Sequence, residues 1–250
     1  MKQAIFIYFL VLLFGVSSCS RKSGRKKVEQ SRITSSAIQR QQNRDGRPSS
    51  KKDDAAPVSE IETTMSGSQI FEKYNSAVFM VYTSDGLNNY QGSGFFISEK
   101  GLAVSNYHVF QGTGIGYEQI KLSDGSLCKL KRVIAKSEDD DFFIFEIETN
   151  GRRFNYIPIS ERVPKVGEKA YAIGSPRGLE NTFSSGEISQ FRGDDNQLIQ
   201  ISVPIDHGSS GGALINSYGE AIGITSAGLD DSGANLNFAV NISVIKRCLQ

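Results

Sequence analysis

At 250 residues the chain has room for one or two domains. Its formal charge of +1 is the balance of two unlike parts: residues 21–52 carry 11 Lys and Arg against Glu29 and Asp45, while residues 53–250 carry 16 basic and 25 acidic residues. A body with a formal charge of −9 excludes nucleic acid as the expected partner.

The N-terminus comes first. Met1-Lys2-Gln3 is a short basic start, and Ala4 to Val16 is apolar apart from Tyr8 and Gly15. Ser17 and Ser18 then precede Cys19, so residues 1–18 read as a secretory signal peptide. Thirteen helical residues reach only about 20 Å, short of the ~30 Å of a membrane core. Val16-Ser17-Ser18-Cys19 resembles the lipobox of bacterial lipoproteins, which implies lipidation at Cys19. Residues 19–66 have no apolar periodicity and are rich in Ser, Gln and Arg, the composition of a disordered tether. Beside a lipid anchor its basic residues would be drawn to anionic headgroups.

Residues 67–250 are the expected folded region. Ser66-Gly67-Ser68-Gln69 resembles a capping box, with Ile70, Phe71 and Tyr74 on one face of a helix over about 67–75. The period then changes to strands at 77–82, 93–97 and 102–105, the last two joined by Ser98-Glu99-Lys100-Gly101. Further strands are expected at 117–121, 127–135, 142–148, 169–173, 183–190, 197–203, 213–216, 220–226 and 236–240, punctuated by glycines. The only other helix expected is the C-terminal one, 242–249. The class is therefore all-β, a sandwich or barrel arrangement. Cys128 and Cys248 are read as two separate thiols.

One loop carries candidate chemistry: Asp206-His207-Gly208-Ser209-Ser210-Gly211-Gly212. Its Gly208-Ser209-Ser210-Gly211-Gly212 satisfies G-x-S-x-G, but that elbow needs a triad histidine after the serine. The two histidines, His108 and His207, both precede Ser210, and strands surround the loop. The remaining order is histidine, then acid, then serine, in which an imidazole takes the hydroxyl proton and a carboxylate orients the imidazole. His108 follows the strand 102–105, whereas His207 lies in the serine loop itself, where only a tight fold-back reaches Ser210. Among Glu138-Asp139-Asp140-Asp141, the first three suit a solvated loop, and Asp141 abuts the apolar run Phe142-Phe143-Ile144-Phe145.

Five blocks together are similar to the HtrA/Deg type of trypsin-like serine protease. They are Gly92–Gly101 with Ser105–Val109, then Asp141–Phe145, then Ala172–Leu179 with Ser185–Ser189, then Gly208–Asn216 with Gly219–Ile224, and last Asn237–Val240. The resemblance implies a double six-stranded β-barrel with a short N-terminal and a C-terminal helix. The first barrel would span about 77–155 and the second about 160–241. It implies Ser210 as nucleophile, His108 as general base and Asp141 as orienting acid, with an oxyanion hole from the backbone N–H groups of Gly208 and Ser210. Ser209, Ala213 and His207 stand where the family commonly has Asn, Pro and Pro. Pro204, six before the serine, stands at the base of the S1 pocket, which implies no selection of basic side chains; His207 is placed at the pocket rim. With Gln250 shortly after the last helix, no PDZ module is expected. The implied function is an endopeptidase acting on exposed or unfolded polypeptides, without cofactor or metal. A homo-oligomer is compatible with it, and it would be anchored in a bacterial envelope on a periplasmic or outer-membrane face. The alternative is a catalytically weak or inactive protease-like domain that binds polypeptide.

Overall fold

The computed structural model describes residues 63–113, 116–175, 181–226 and 236–249. The signal peptide, Cys19 and the basic tether lie outside the described residues. The first element, α1 (Gly67–Tyr74), opens on a full capping box: the Gln69 N–H donates to Ser66 Oγ, and the Ser66 N–H donates to Gln69 Oε1 at 2.8 Å. Two of the four orphan donors of the first turn are thereby satisfied. A single 3-10 turn, Asn75–Ala77, leads into the sheets.

Seven strands form the first sheet: β1 (Val78–Ser84), β2 (Asn89–Phe96), β3 (Leu102–Ser105), β4 (Gln119–Lys121), β5 (Leu127–Cys128), β6 (Leu130–Ser137) and β7 (Phe142–Ile147), in the order β5-β4-β1-β2-β3-β7-β6. The expected single strand 127–135 breaks at Lys129. Its front piece pairs with β4 and its back piece with β7, at the opposite ends of the sheet. Three consecutive residues thus join the two edges, and the curled sheet is completed by the chain itself. Counted as one strand, β5 and β6 leave the six of a barrel.

The second sheet is a closed barrel of β8 (Lys169–Gly174), β9 (Thr182–Arg192), β10 (Leu198–Ile201), β11 (Ala213–Asn216), β12 (Ala221–Ser226) and β13 (Asn237–Asn241). The last helix is shorter than the sequence suggests, ending at Lys246.

The apolar runs sort themselves by the two-residue period of a strand. On β7, Phe143, Phe145 and Ile147 enter an aromatic core inside the first sheet, with Phe79, Phe96, Phe110 and Phe154. Phe142 and Ile144, on the other face, join Phe95 and Val104 in a third core that includes Ile173, Ala213, Ile224 and Val240 of the second barrel. Aliphatic residues such as Ile188, Ile199 and Leu214 fill that barrel. A strand buried on both faces needs no polar alternation, which is why Phe142–Phe145 reads as an unbroken apolar run. The third core is the seam between the barrels, and the candidate site sits on it.

Candidate active site

The residues singled out in the sequence come from both sheets. His108 lies in a helix that sequence reasoning missed, α2 (Tyr107–Phe110), one turn long and too short for a 3.6-residue period to show. Its N-cap is Asn106, fully buried, whose side chain makes no cap hydrogen bond. The Asn106 Nδ2 donates instead to the backbone carbonyl of Asp141 at 2.9 Å, and its Oδ1 is buried without a partner.

Asp141 closes the acidic turn, its N–H donating to the Glu138 carbonyl at 3.2 Å. Its φ of +49° is in the left-handed region, uncommon outside glycine and best tolerated by Asn and Asp. From there its carboxylate meets α2 twice. The His108 N–H donates to Oδ1 at 3.0 Å, and His108 Nδ1 stands 2.9 Å from both carboxylate oxygens. An ionised carboxylate only accepts, so Nδ1 carries the ring proton and Nε2 is left with its lone pair. The Ser226 Oγ adds a long donor contact to Oδ2 at 3.4 Å. The His108 side chain is 41 % exposed and that of Asp141 27 %, so the imidazole is reachable from outside. Glu138 and Asp139 are exposed, as expected of a solvated loop, whereas Asp140, expected with them, is half-buried and bound through its N–H and carboxylate by Ser137.

The serine loop is held by backbone hydrogen bonds together with two side-chain hydroxyls, those of Ser93 and Thr225. The Ser209 N–H donates to the Asp206 carbonyl at 2.9 Å and the Gly212 N–H to the Ser209 carbonyl at 3.0 Å, two turns in succession. Three consecutive carbonyls are tied down. That of Gly208 accepts from Ser93 Oγ at 2.7 Å, that of Ser209 from Thr225 Oγ1 at 2.7 Å, and that of Ser210 from the Ser93 N–H at 2.7 Å. Gly208 and Gly211 have φ of +92° and +89°. At Gly211 a Cβ would stand 2.0 Å from the Ser93 carbonyl oxygen and 2.3 Å from Ser105 Oγ, so only glycine fits. Ser209 and Ser210 are buried, at 8 % and 6 % exposure.

Gly92 sets the distance between the two halves of the site. A Cβ there would lie 2.6 Å from Val109, the residue after His108, and 3.1 Å from the Ser210 carbonyl oxygen. The bare backbone of β2 therefore passes between α2 and the serine loop. Among the described residues, the His108 ring hydrogen-bonds to Asp141 alone. Pro204 and His207 are exposed. The Pro204 carbonyl accepts from Ser184 Oγ at 2.8 Å, and the His207 N–H is turned onto Asp206 Oδ1 at 2.7 Å. No group of three or more His, Cys, Asp and Glu with metal-ligand geometry occurs among the described residues.

A family model for the trypsin-like peptidase domain matches residues 92–224. The chain is 31 % identical over 170 residues to "Protease Do-like 5, chloroplastic" of Arabidopsis thaliana, covering 61 % of this chain and 53 % of that protein. It is 35 % identical over 166 residues to "Probable periplasmic serine endoprotease DegP-like" of Rhizobium meliloti (strain 1021), covering 62 % and 32 %. Among solved structures, that of the serine endoprotease from Yersinia pestis superposes with a TM-score of 0.64 at 27 % identity, covering 74 % of this chain and 65 % of that one. The chain thus spans between about a third and about a half of these two curated relatives.

Proposed function

Since the chain belongs to the trypsin-like peptidases, we propose that it is a serine endopeptidase in which Ser210 is the nucleophile, His108 the general base and Asp141 the orienting acid. The observation that carries this reading is the His108–Asp141 pair, with Nδ1 between the two carboxylate oxygens at 2.9 Å and the backbone of Gly92 packed between α2 and the Ser210 loop.

The chemistry follows from which nitrogen is free. With its proton held at Nδ1 by Asp141, His108 accepts the Ser210 hydroxyl proton at Nε2 as Oγ attacks the scissile carbonyl carbon. The transfer requires Nε2 to come within hydrogen-bond reach of Oγ in the substrate complex. The tetrahedral oxyanion is taken by the N–H groups of Gly208 and Ser210, whose loop is fixed before substrate arrives; one such donor typically contributes about 10²–10³ in rate. Collapse breaks the C–N bond, and the leaving amine takes the proton back from Nε2. Water, deprotonated by His108, then cleaves the acyl ester and frees Ser210.

Pro204, in the position that would carry an acid in an enzyme selective for Lys or Arg, supports small or aliphatic P1 side chains. Substrates are exposed or unfolded polypeptide segments. An exported, lipid-anchored envelope protein, tethered by residues 19–66, is the cellular form this reading takes, supported by the N-terminal pattern and by a relative whose name places it in the periplasm. Hydrolysis of an unfolded protein tests the reading. Turnover by the wild type, with loss in folded Ser210→Ala and His108→Ala, supports it. Tight binding of unfolded polypeptide without turnover favours a binding domain instead.

A further inference from the structure

Ser93 is fully buried on β2 of the first sheet, and all its polar groups are engaged. Its Oγ donates to the Gly208 carbonyl at 2.7 Å and accepts from the Ser175 N–H at 2.9 Å. Its N–H donates to the Ser210 carbonyl at 2.7 Å, and its carbonyl accepts from Ser105 Oγ at 2.7 Å. Ser105 ends β3, three residues before His108, and Ser175 follows the end of β8. One residue of the first sheet therefore holds both ends of the Gly208–Ser210 segment, and also touches the strand that leads to the histidine.

We propose that Ser93 is a positioning residue for the oxyanion hole: its hydroxyl sets the backbone of the nucleophile loop across the seam between the barrels. The reason lies in Gly208. Its φ of +92° fixes one side of the residue, and the hydroxyl bond to its carbonyl fixes the other, so the direction of its N–H follows from both. With the hydroxyl removed, the Gly208 carbonyl and the Ser175 N–H lose their common partner. The 208–209 peptide keeps the Ser209 N–H bond to the Asp206 carbonyl but loses the anchor of its own carbonyl. That carbonyl can tilt, and Gly208, with no side chain to resist, passes the change to its own N–H. An oxyanion hole works only when its donors are aimed beforehand. The proposal rests on the serine-peptidase reading above and adds a residue that does not touch the substrate.

The test compares Ser93→Ala with the wild type in five readouts: kcat, KM, the pH profile, the affinity for a peptidyl aldehyde and the affinity for the corresponding product peptide. The aldehyde forms an oxyanion on the enzyme and needs the hole; the product peptide does not. The expected result is a fall of about 10² in kcat and in aldehyde affinity, the size of one lost donor. KM, product affinity and the acidic limb of the pH profile stay in place, because His108 and Asp141 are untouched. Ser93→Cys, which retains a weak donor, falls between the two. Folded Ser93→Ala with wild-type kcat and aldehyde affinity overturns the proposal, as does a loss of product affinity in step with aldehyde affinity, or failure of both variants to fold. A wild type that neither turns over substrate nor binds the aldehyde overturns the serine-peptidase reading itself, a result distinct from these.

Discussion

Asp141 holds His108 at two points, the backbone N–H at 3.0 Å and the ring Nδ1 at 2.9 Å, so the carboxylate fixes both the position of α2 and the tautomer it presents. The acid is itself held in a left-handed backbone conformation, φ +49°, with its carbonyl on the buried Asn106. A helix of four residues cannot orient the imidazole by its own stability. The orientation comes from the facing turn.

Asp141→Asn keeps the shape of that contact and changes its chemistry. An amide nitrogen turned to the ring forces Nδ1 to accept, which moves the proton to Nε2, where the base is needed. Turnover is expected to fall about 10⁴-fold with the fold intact, as for the template triad. Steady-state kinetics alongside circular dichroism checks it; a loss below about tenfold removes Asp141 from the role.

Gly211→Ala tests the close approach at the seam. The added methyl carbon lands 2.0 Å from the Ser93 carbonyl oxygen, a backbone atom that cannot step aside. Activity is expected to vanish, with a clear drop in melting temperature. Gly125→Ala is the control: its φ is +81° but nothing lies within 4 Å of the new carbon, so it carries only the left-handed penalty of about 1–2 kcal/mol. Equal melting temperatures for the two variants contradict the packing described.

Pro204 bears on specificity. A peptide library scanned at P1 is expected to favour small or aliphatic residues and to disfavour Lys and Arg. Efficient cleavage after Arg would refute the placement of Pro204 at the base of the pocket.

Asp124 gives the body a pH-dependent contact away from the site. The Ser126 hydroxyl and N–H, and then Arg152, hold its carboxyl down at about 2, below the usual carboxylate range. A depressed folded value means the contribution to stability is present above the unfolded value, about 4, and is lost as pH falls towards 2. Asp124→Asn is therefore expected to flatten the acid side of the melting-temperature profile between about pH 4 and 2, and to leave neutral activity unchanged.

Cys19 is tested apart from the catalytic domain. Cys19→Ala, expressed with residues 1–18, is expected to shift from the membrane fraction to the soluble fraction. Undiminished membrane association of the variant rules out the lipid anchor.

Much of this fold lies open in the sequence, for reasons that differ by element. The capping box of α1 is written in Ser66 and Gln69, and the observed strands fall within or beside the expected runs because burial on one or both faces leaves a visible pattern. The break at Lys129 leaves no such trace, since a strand that changes partners keeps its composition. The helix α2 is hidden because four residues carry no period, and what stabilises it is Asp141, distant in sequence. Asn106, Ser93 and Thr225 are equally hidden. Each is a polar residue whose neighbours in the chain give no hint of its role, and only the third dimension shows that their partners are backbone atoms of the site.

The most direct measurement of the central claim is the location of a fluorophosphonate adduct, found by mass spectrometry of proteolytic fragments. The account predicts a single adduct on Ser210, formed by Ser209→Ala and not by Ser210→Ala or His108→Ala. An adduct on Ser209, or none on folded wild-type protein, would contradict it.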